Sequence, residues 1–157
     1  LLAFLRDHNT ARSVLDVFND LYAMFGRETY CRLFPVILTD RGSEFSNPVP
    51  IEQDENDELR SLVFYCNPSA PYQKGGIEVA HELVRRVLPK GKSFDDLQQE
   101  DIDLMLSHIN SYKRGKLNSR SAYQLFNFIY GDDILPKLNI REIEANDIVL
   151  SPKLLKK

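Results

Sequence analysis

Two spacings of apolar residues alternate along the first half of the chain. Leu1-Leu2-Ala3-Phe4-Leu5 is an unbroken apolar run, too short for a helix, and predicts a buried strand. Arg6 to Asn9 is a polar connector, and Thr10 is suited to be an N-cap. From there Ala11, Val14, Leu15, Phe18, Leu21, Tyr22 and Phe25 recur at helical spacing and make one apolar face, with Gly26 placed to close the helix at C′. Phe34 to Thr39, with β-branched members, predicts a second buried strand, broken by the turn-forming Asp40-Arg41-Gly42. Leu62 to Cys66 predicts a third. A helix between two buried strands predicts a parallel βαβ unit. Ligand sites in such sheets gather at the carboxyl ends of strands, and Asp40 falls at one.

The second half reads as mostly helical. Ser46 to Arg60 is polar and acidic, contains Pro48 and Pro50, and predicts a loop with a short helix, ordered only in part. Asn67 to Gly76, with Pro68, Pro71, Gly75 and Gly76, predicts a mobile loop. Ile77 to Leu88 predicts a helix. At about 100° per residue, Ala80, Leu83, Val84, Val87 and Leu88 share one arc, while Glu78, His81, Glu82 and Arg85 share the opposite, exposed one. Pro89 and Gly91 stop it. Asp101 to Lys113 predicts a helix that buries Ile102, Met105, Leu106, Ile109 and Tyr112. Ser121-Ala122-Tyr123-Gln124 has the form of a capping box, opening a helix through Phe128 that Gly131-Asp132-Asp133 ends. Asn139 to Lys157 predicts an irregular tail with a short helix.

Composition narrows the class. A chain of 157 residues, 43% apolar and 27% charged, suits one soluble domain with a real core. No apolar run approaches the length of a membrane span. There is no initial Met and no leader pattern, and the chain opens inside an apolar run, so a fragment with structure missing before Leu1 is expected. Cys31 and Cys66 lack ligand spacing; two buried thiols in a reducing bacterial cytoplasm are expected, and a zinc site has no support. The net charge of −3 argues against a nucleic-acid binder. The charge is segregated, however. Lys74, Arg85, Arg86, Lys90 and Lys92 cluster against only Glu78 and Glu82. Lys113, Arg114, Lys116 and Arg120 stand in a stretch with no acid. The acids pool in Glu52 to Glu58, read as a solvated loop.

Phosphodiester chemistry with two divalent ions needs carboxylates that converge on one point. A strand-end Asp40 and a first-turn Glu78 are candidates, although Asp40 also suits a turn and Glu78 a solvated helix N-terminus. The wording around them is more specific. Ile37-Leu38-Thr39-Asp40-Arg41-Gly42-Ser43-Glu44-Phe45 resembles the second acidic motif of the DDE transposases and retroviral-type integrases: an apolar strand, Thr-Asp-Asn-Gly, two residues and Phe. Asn67 to Glu78 resembles the loop leading to their third acid. Arg85, seven residues on, matches the Lys or Arg that often follows it. Leu88-Pro89-Lys90-Gly91-Lys92-Ser93-Phe94 and the segment from Ile109-Asn110 to Ala122-Tyr123 narrow the resemblance to the bacterial insertion-sequence family numbered thirty. It covers Leu1 to about Tyr130.

The resemblance implies an α/β fold of the ribonuclease-H-like (integrase core) type, a mixed sheet flanked by helices and N-terminally truncated. Residues 1–130 would be a partial catalytic core and 131–157 a tail. It implies Mg²⁺ or Mn²⁺ held by two Asp and one Glu, here Asp40 and Glu78, for DNA end cleavage and strand transfer. Element ends and target DNA would be partners, homo-oligomerisation is expected, and no membrane is involved. Lys74, Arg85, Lys90, Lys113 and Arg114 are candidate phosphate contacts. Several positions depart from the pattern. The first acid would lie upstream of Leu1, and Asp7 is at the wrong end to replace it. The helix-turn-helix region is absent, Arg41 replaces Asn, and Val79 and Ala80 follow the Glu where Asn-type residues are common. Glu82 is a rival third acid; Glu78 is preferred because of its offset to Arg85 and the preceding Gly76. The expectation is a transposase catalytic fragment, inactive by itself. The alternatives are a non-catalytic DNA-binding or dimerisation module of the same fold, or a related nuclease.

Overall fold

The apolar stripe that starts at Ala11 runs on as a helix, α1 (Ala11–Leu33), past the glycine expected to end it. Thr10 caps it as predicted: its hydroxyl accepts the Ser13 N–H, and the Ser13 hydroxyl accepts the Thr10 N–H. Gly26 does leave helical geometry, at φ 71° and ψ 164°, but it kinks the helix rather than closing it. The second segment is held by packing: Tyr30 is fully buried, edge-on to Tyr22 and tilted against Phe34.

The computed structural model describes residues 1–67, 75–91 and 93–155. They form a mixed α/β chain with two compact units, Arg6–Lys74 and a second made of Leu1–Leu5 with Gly75–Lys157. The expected loop over Asn67–Gly76 falls mostly outside the described residues.

In the Arg6–Lys74 unit, β1 (Val36–Thr39) and β2 (Leu62–Tyr65) pair in parallel, in register from Val36↔Leu62 to Thr39↔Tyr65. A parallel pair was expected, but with residues 1–5 as the partner of β1. The strands are also less buried than predicted. Pleating turns Thr39 inward, while Val36, Leu38, Leu62 and Phe64 are 42–55% exposed on the two-stranded sheet. Cys66 is buried and Cys31 only half-buried, so one of the two thiols departs from the expectation.

The acidic segment is ordered, against the prediction. After α2 (Val49–Glu52), Asp54 accepts hydrogen bonds from the Tyr22 hydroxyl (2.7 Å), Arg27 (2.8 Å) and the Asn56 and Glu58 amides. Its side chain is 4% exposed, so it is no solvated charge, and Arg27 also pairs with Glu58 at 3.1 Å. The Tyr22 hydroxyl, foremost, holds the Asp54 carboxyl below its ordinary pKa. Arg60 is buried, donates to Asn19, Pro50 O and Ile51 O, and lies over the rings of Tyr22 and Tyr30. A cation buried among carbonyls and ring faces fixes both ends of the segment to α1.

The second unit is mainly helical: α3 (Gly75–Val87), α4 (Gln99–Ser111), α5 (Ala122–Tyr130) and α6 (Ile134–Lys137), with a short antiparallel pair, β3 (Lys113–Arg114) and β4 (Arg120–Ser121). Ile102, Met105, Leu106 and Ile109 are buried as the stripe on α4 predicts. Tyr112 is not part of it: α4 ends at Ser111, Tyr112 turns to extended backbone, and its side chain is exposed. The Ser121 capping box forms as read, and α5 runs on to Tyr130 before Gly131 ends it at φ 96°. Beyond α5, Ile134, Leu135, Leu138 and Ile140 are buried, so this stretch supplies core. The next stretch crosses α4, where Ser107, Ser111 and His108 Nδ1 accept the N–H groups of Arg141, Ile143 and Val149.

Leu1–Leu5, expected as a strand, is not one. Four of its main-chain groups bond to carboxamides of α4. Gln99 accepts the Leu5 N–H and donates to Ala3 O, and Asn110 accepts from the Leu1 nitrogen and donates to Leu1 O. Hydrogen-bonding needs that a neighbouring strand would meet are met by two side chains instead. The two sheets described are separate two-stranded pairs rather than one mixed sheet.

Candidate active site

Asp40 stands directly after β1, where the strand must stop. The Cys66 N–H donates to Thr39 O at 2.8 Å, the last rung beside β2. The chain then turns, and Asp40 Oδ1 accepts the Gly42 N–H at 3.1 Å. A β-carbon at Gly42 would lie 2.6 Å from a carboxylate oxygen of Glu44, so glycine lets that second acid fold close to the turn. Asp40 is exposed at this strand end. Next to it, Arg41, Gly42, Ser46, Pro48 and Tyr65 line a recess of about 390 Å³. The Tyr65 hydroxyl donates to Phe45 O across the mouth of the turn.

Glu78 lies in the first turn of α3, where the unpaired N–H groups favour a carboxylate. Leu83, Val87 and Leu88 are buried, which leaves Glu78, His81, Glu82 and Arg85 exposed, as the angular reading predicts. Glu82 is engaged: its carboxylate meets Arg86 at 2.7 Å. That contact, ahead of a smaller contribution from the Tyr112 hydroxyl, raises the Arg86 pKa.

The predicted phosphate contacts divide. Lys74 lies outside the described residues. Arg85 and Lys90 are exposed. Lys113 and Arg114 sit on the β3–β4 hairpin, whose 3₁₀ turn (Gly115–Leu117) carries Lys116 and whose register sets Arg114 opposite Arg120. Directly opposed like charges destabilise a strand pair unless an anion joins them. Arg114 is half-buried, and its Nε is enclosed with no hydrogen-bond acceptor. Asp40 belongs to one unit and Glu78, Arg85, Lys90, Lys113 and Arg114 to the other. Among the described residues no three His, Cys, Asp or Glu side chains group as a metal site. Sequence reasoning passed over Tyr65 and Ser46; the signal for Tyr65 is its position at the end of an apolar run paired with the Asp40 strand.

Known sequences point the same way as the two acidic motifs. The chain is 30% identical over 120 residues to an integrase candidate, ORF3, of Spiroplasma virus SpV1-R8A2 B, a match covering 76% of this chain and 35% of that protein. Over this stretch the chain is similar to integrases and transposases. It is also 35% identical over 63 residues to the transposase for insertion sequence element IS1086 of Cupriavidus metallidurans, covering 40% of this chain and 19% of that one. It is 27% identical over 94 residues to the transposase for IS4351 of Bacteroides fragilis, covering 60% and 28%. The chain thus spans about a third or less of the length of each of these relatives. No family model matches the chain, and no solved structure matches it.

Proposed function

We propose that this chain is catalytic-domain sequence of a DNA transposase with a ribonuclease-H-like core, in which Asp40 and Glu78 are metal-binding carboxylates. The observation that carries the reading is Asp40 at the carboxyl end of a strand in a parallel pair, within a chain similar to integrases and transposases. Carboxylate oxygens are hard donors, and both acids are exposed, so the donor chemistry suits Mg²⁺ or Mn²⁺. Such ions, when bound, supply charge stabilisation at the reacting phosphate. The chain's own residues do the rest. Arg85, Lys90 and the basic hairpin of Lys113, Arg114, Lys116 and Arg120 hold DNA through phosphates and fix its register without reading sequence. Lys74 is assigned the same role from its place in the sequence. The partners are element ends and target DNA, met by a homo-oligomer.

Two acids do not complete the set that the resemblance implies. We therefore propose that these 157 residues alone bind DNA but do not transfer strands. A second reading, a non-catalytic DNA-binding or dimerisation module, is favoured by the lack of a three-ligand group among the described residues. One experiment separates them. The chain is titrated with mixed-sequence DNA with and without Mn²⁺, then incubated with pre-nicked DNA. The catalytic reading expects Mn²⁺ to tighten binding, Asp40→Asn and Glu78→Gln each to abolish that increment, and no joined product. Binding that ignores Mn²⁺ and both substitutions supports the module. Robust strand transfer refutes the need for a third acid.

A further inference from the structure

The recess beside Asp40 has a composition that the metal-site reading does not use. Its walls are a cation (Arg41), an aromatic ring (Tyr65), a proline ring (Pro48), a hydroxyl (Ser46) and a glycine (Gly42). No acid lines it. Arg41 is exposed and takes no part in the ion pairs among the described residues, so its guanidinium is available to an anion from outside. Tyr65 is fixed from both ends. Its backbone is paired in β2 opposite Thr39, and its hydroxyl donates to Phe45 O, which holds the ring against the turn that follows Asp40. An aromatic ring restrained in this way is a preorganised stacking surface.

These parts suit one class of ligand. A nucleotide presents a flat π-face and a phosphate a short distance apart. Aromatic rings take the first at little cost in sequence preference, and arginine takes the second through its planar fork. Bases inside a duplex are stacked on both sides and cannot present a face to a side chain, so the fitting nucleotide is an unpaired one. The recess is contiguous with Asp40 through Arg41 and Gly42. If Asp40 holds a divalent cation, as proposed above, a phosphate on that cation would have its neighbouring nucleotide on the side of the Tyr65 recess.

We propose that the recess walled by Arg41, Ser46, Pro48 and Tyr65 holds the unpaired nucleotide that flanks the reacting phosphate of DNA. The proposal rests on the reading of Asp40 as a DNA-processing residue and adds a stacking and phosphate subsite to it. Arg41 then does more than stand in for the usual Asn: it supplies a phosphate contact beside the acid. Both side chains are binding residues and take no part in bond making.

The test is equilibrium binding of the full chain to mixed-sequence DNA as blunt duplex, 3′-tailed duplex and single strand, across a salt series. Wild type is expected to prefer the tailed duplex to the blunt one. Tyr65→Leu should erase that preference, with about a tenfold loss on tailed DNA and an unchanged salt slope. Tyr65→Phe, which keeps the ring, should retain most of it. Arg41→Asn should weaken tailed binding and lower the salt slope by about one. Equal binding to tailed and blunt DNA by wild type, or a tail preference that survives Tyr65→Leu and Arg41→Asn, overturns the subsite while leaving the transposase reading intact. Failure of wild type to bind any of the three DNAs overturns that reading, and the subsite with it.

Discussion

His108 Nδ1 accepts the main-chain N–H of Val149 at 3.1 Å, so this buried imidazole fastens the final stretch to α4 only while that nitrogen is unprotonated. Its pKa is lowered, first by burial and then by the charge of Arg141, with Asp147 opposing. The folded value thus lies below the unfolded one. The stabilisation is fully present above about pH 6.5 and is lost as pH falls through the folded value. Urea unfolding should give a lower midpoint at pH 5 than at pH 7.5, and the Val149 amide should exchange faster. His108→Asn, which keeps an acceptor without a titrating ring, should flatten that difference. An equal pH dependence in the variant would remove His108 as its source.

Arg60 should be among the costliest single positions in the Arg6–Lys74 unit. Arg60→Met keeps length and apolar contact with Tyr22 and Tyr30 but strands the carbonyls of Pro50 and Ile51 and the Asn19 side chain. A loss of about 2 kcal/mol is expected, chiefly from the buried Ile51 carbonyl left unpaired. Arg60→Lys should recover only part, because an ammonium lacks the planar fork. Chemical denaturation with a probe in this unit measures both; a Lys variant as stable as wild type would show that charge alone matters.

The two acids on α3 should behave differently. Glu82 is committed to Arg86 on an exposed surface, where such a pair contributes little stability. Glu82→Gln should therefore leave both folding and Mn²⁺-dependent DNA binding close to wild type, while Glu78→Gln removes the Mn²⁺ dependence. The reverse pattern would transfer the metal role to Glu82.

Gln99→Ala should release residues 3–5 without unfolding the unit. The substitution deletes the acceptor of the Leu5 N–H and the donor to Ala3 O. Hydrogen exchange should show loss of Leu5 protection, with a global cost of about 1 kcal/mol. Unchanged Leu5 protection would mean that apolar packing, rather than the carboxamide, holds the segment.

What the sequence made legible follows from range. The Thr10 and Ser121 caps, the stripe on α4 and the two faces of α3 rest on residues a turn apart, and each was read correctly. Gly26 was half legible. Its positive φ is a local property, but the resumption of helix beyond it depends on Tyr30 packing against Tyr22 and beneath Arg60. The acidic segment looked unordered because nothing near Asp54 in sequence shows that Tyr22 and Arg27, about thirty residues earlier, close on it. An apolar run such as Leu1–Leu5 does not say whether a strand or two carboxamides will satisfy its main chain. Asp40 and Glu78 were singled out as candidates through their flanking motifs. Tyr65 was not, because its nearness to Asp40 exists only through the Thr39↔Tyr65 register.

The carboxamide clasp on residues 1–5 also sets an order of events during synthesis. The bonded partners are 94 to 109 positions apart in the chain. Residues 1–5 therefore wait, uncommitted, while the whole Arg6–Lys74 unit is made, and they dock only once α4 has emerged. At roughly 5–20 residues per second, that interval is long on the scale of helix and hairpin formation. The inserted unit can therefore begin to fold before the unit that encloses it in sequence is complete.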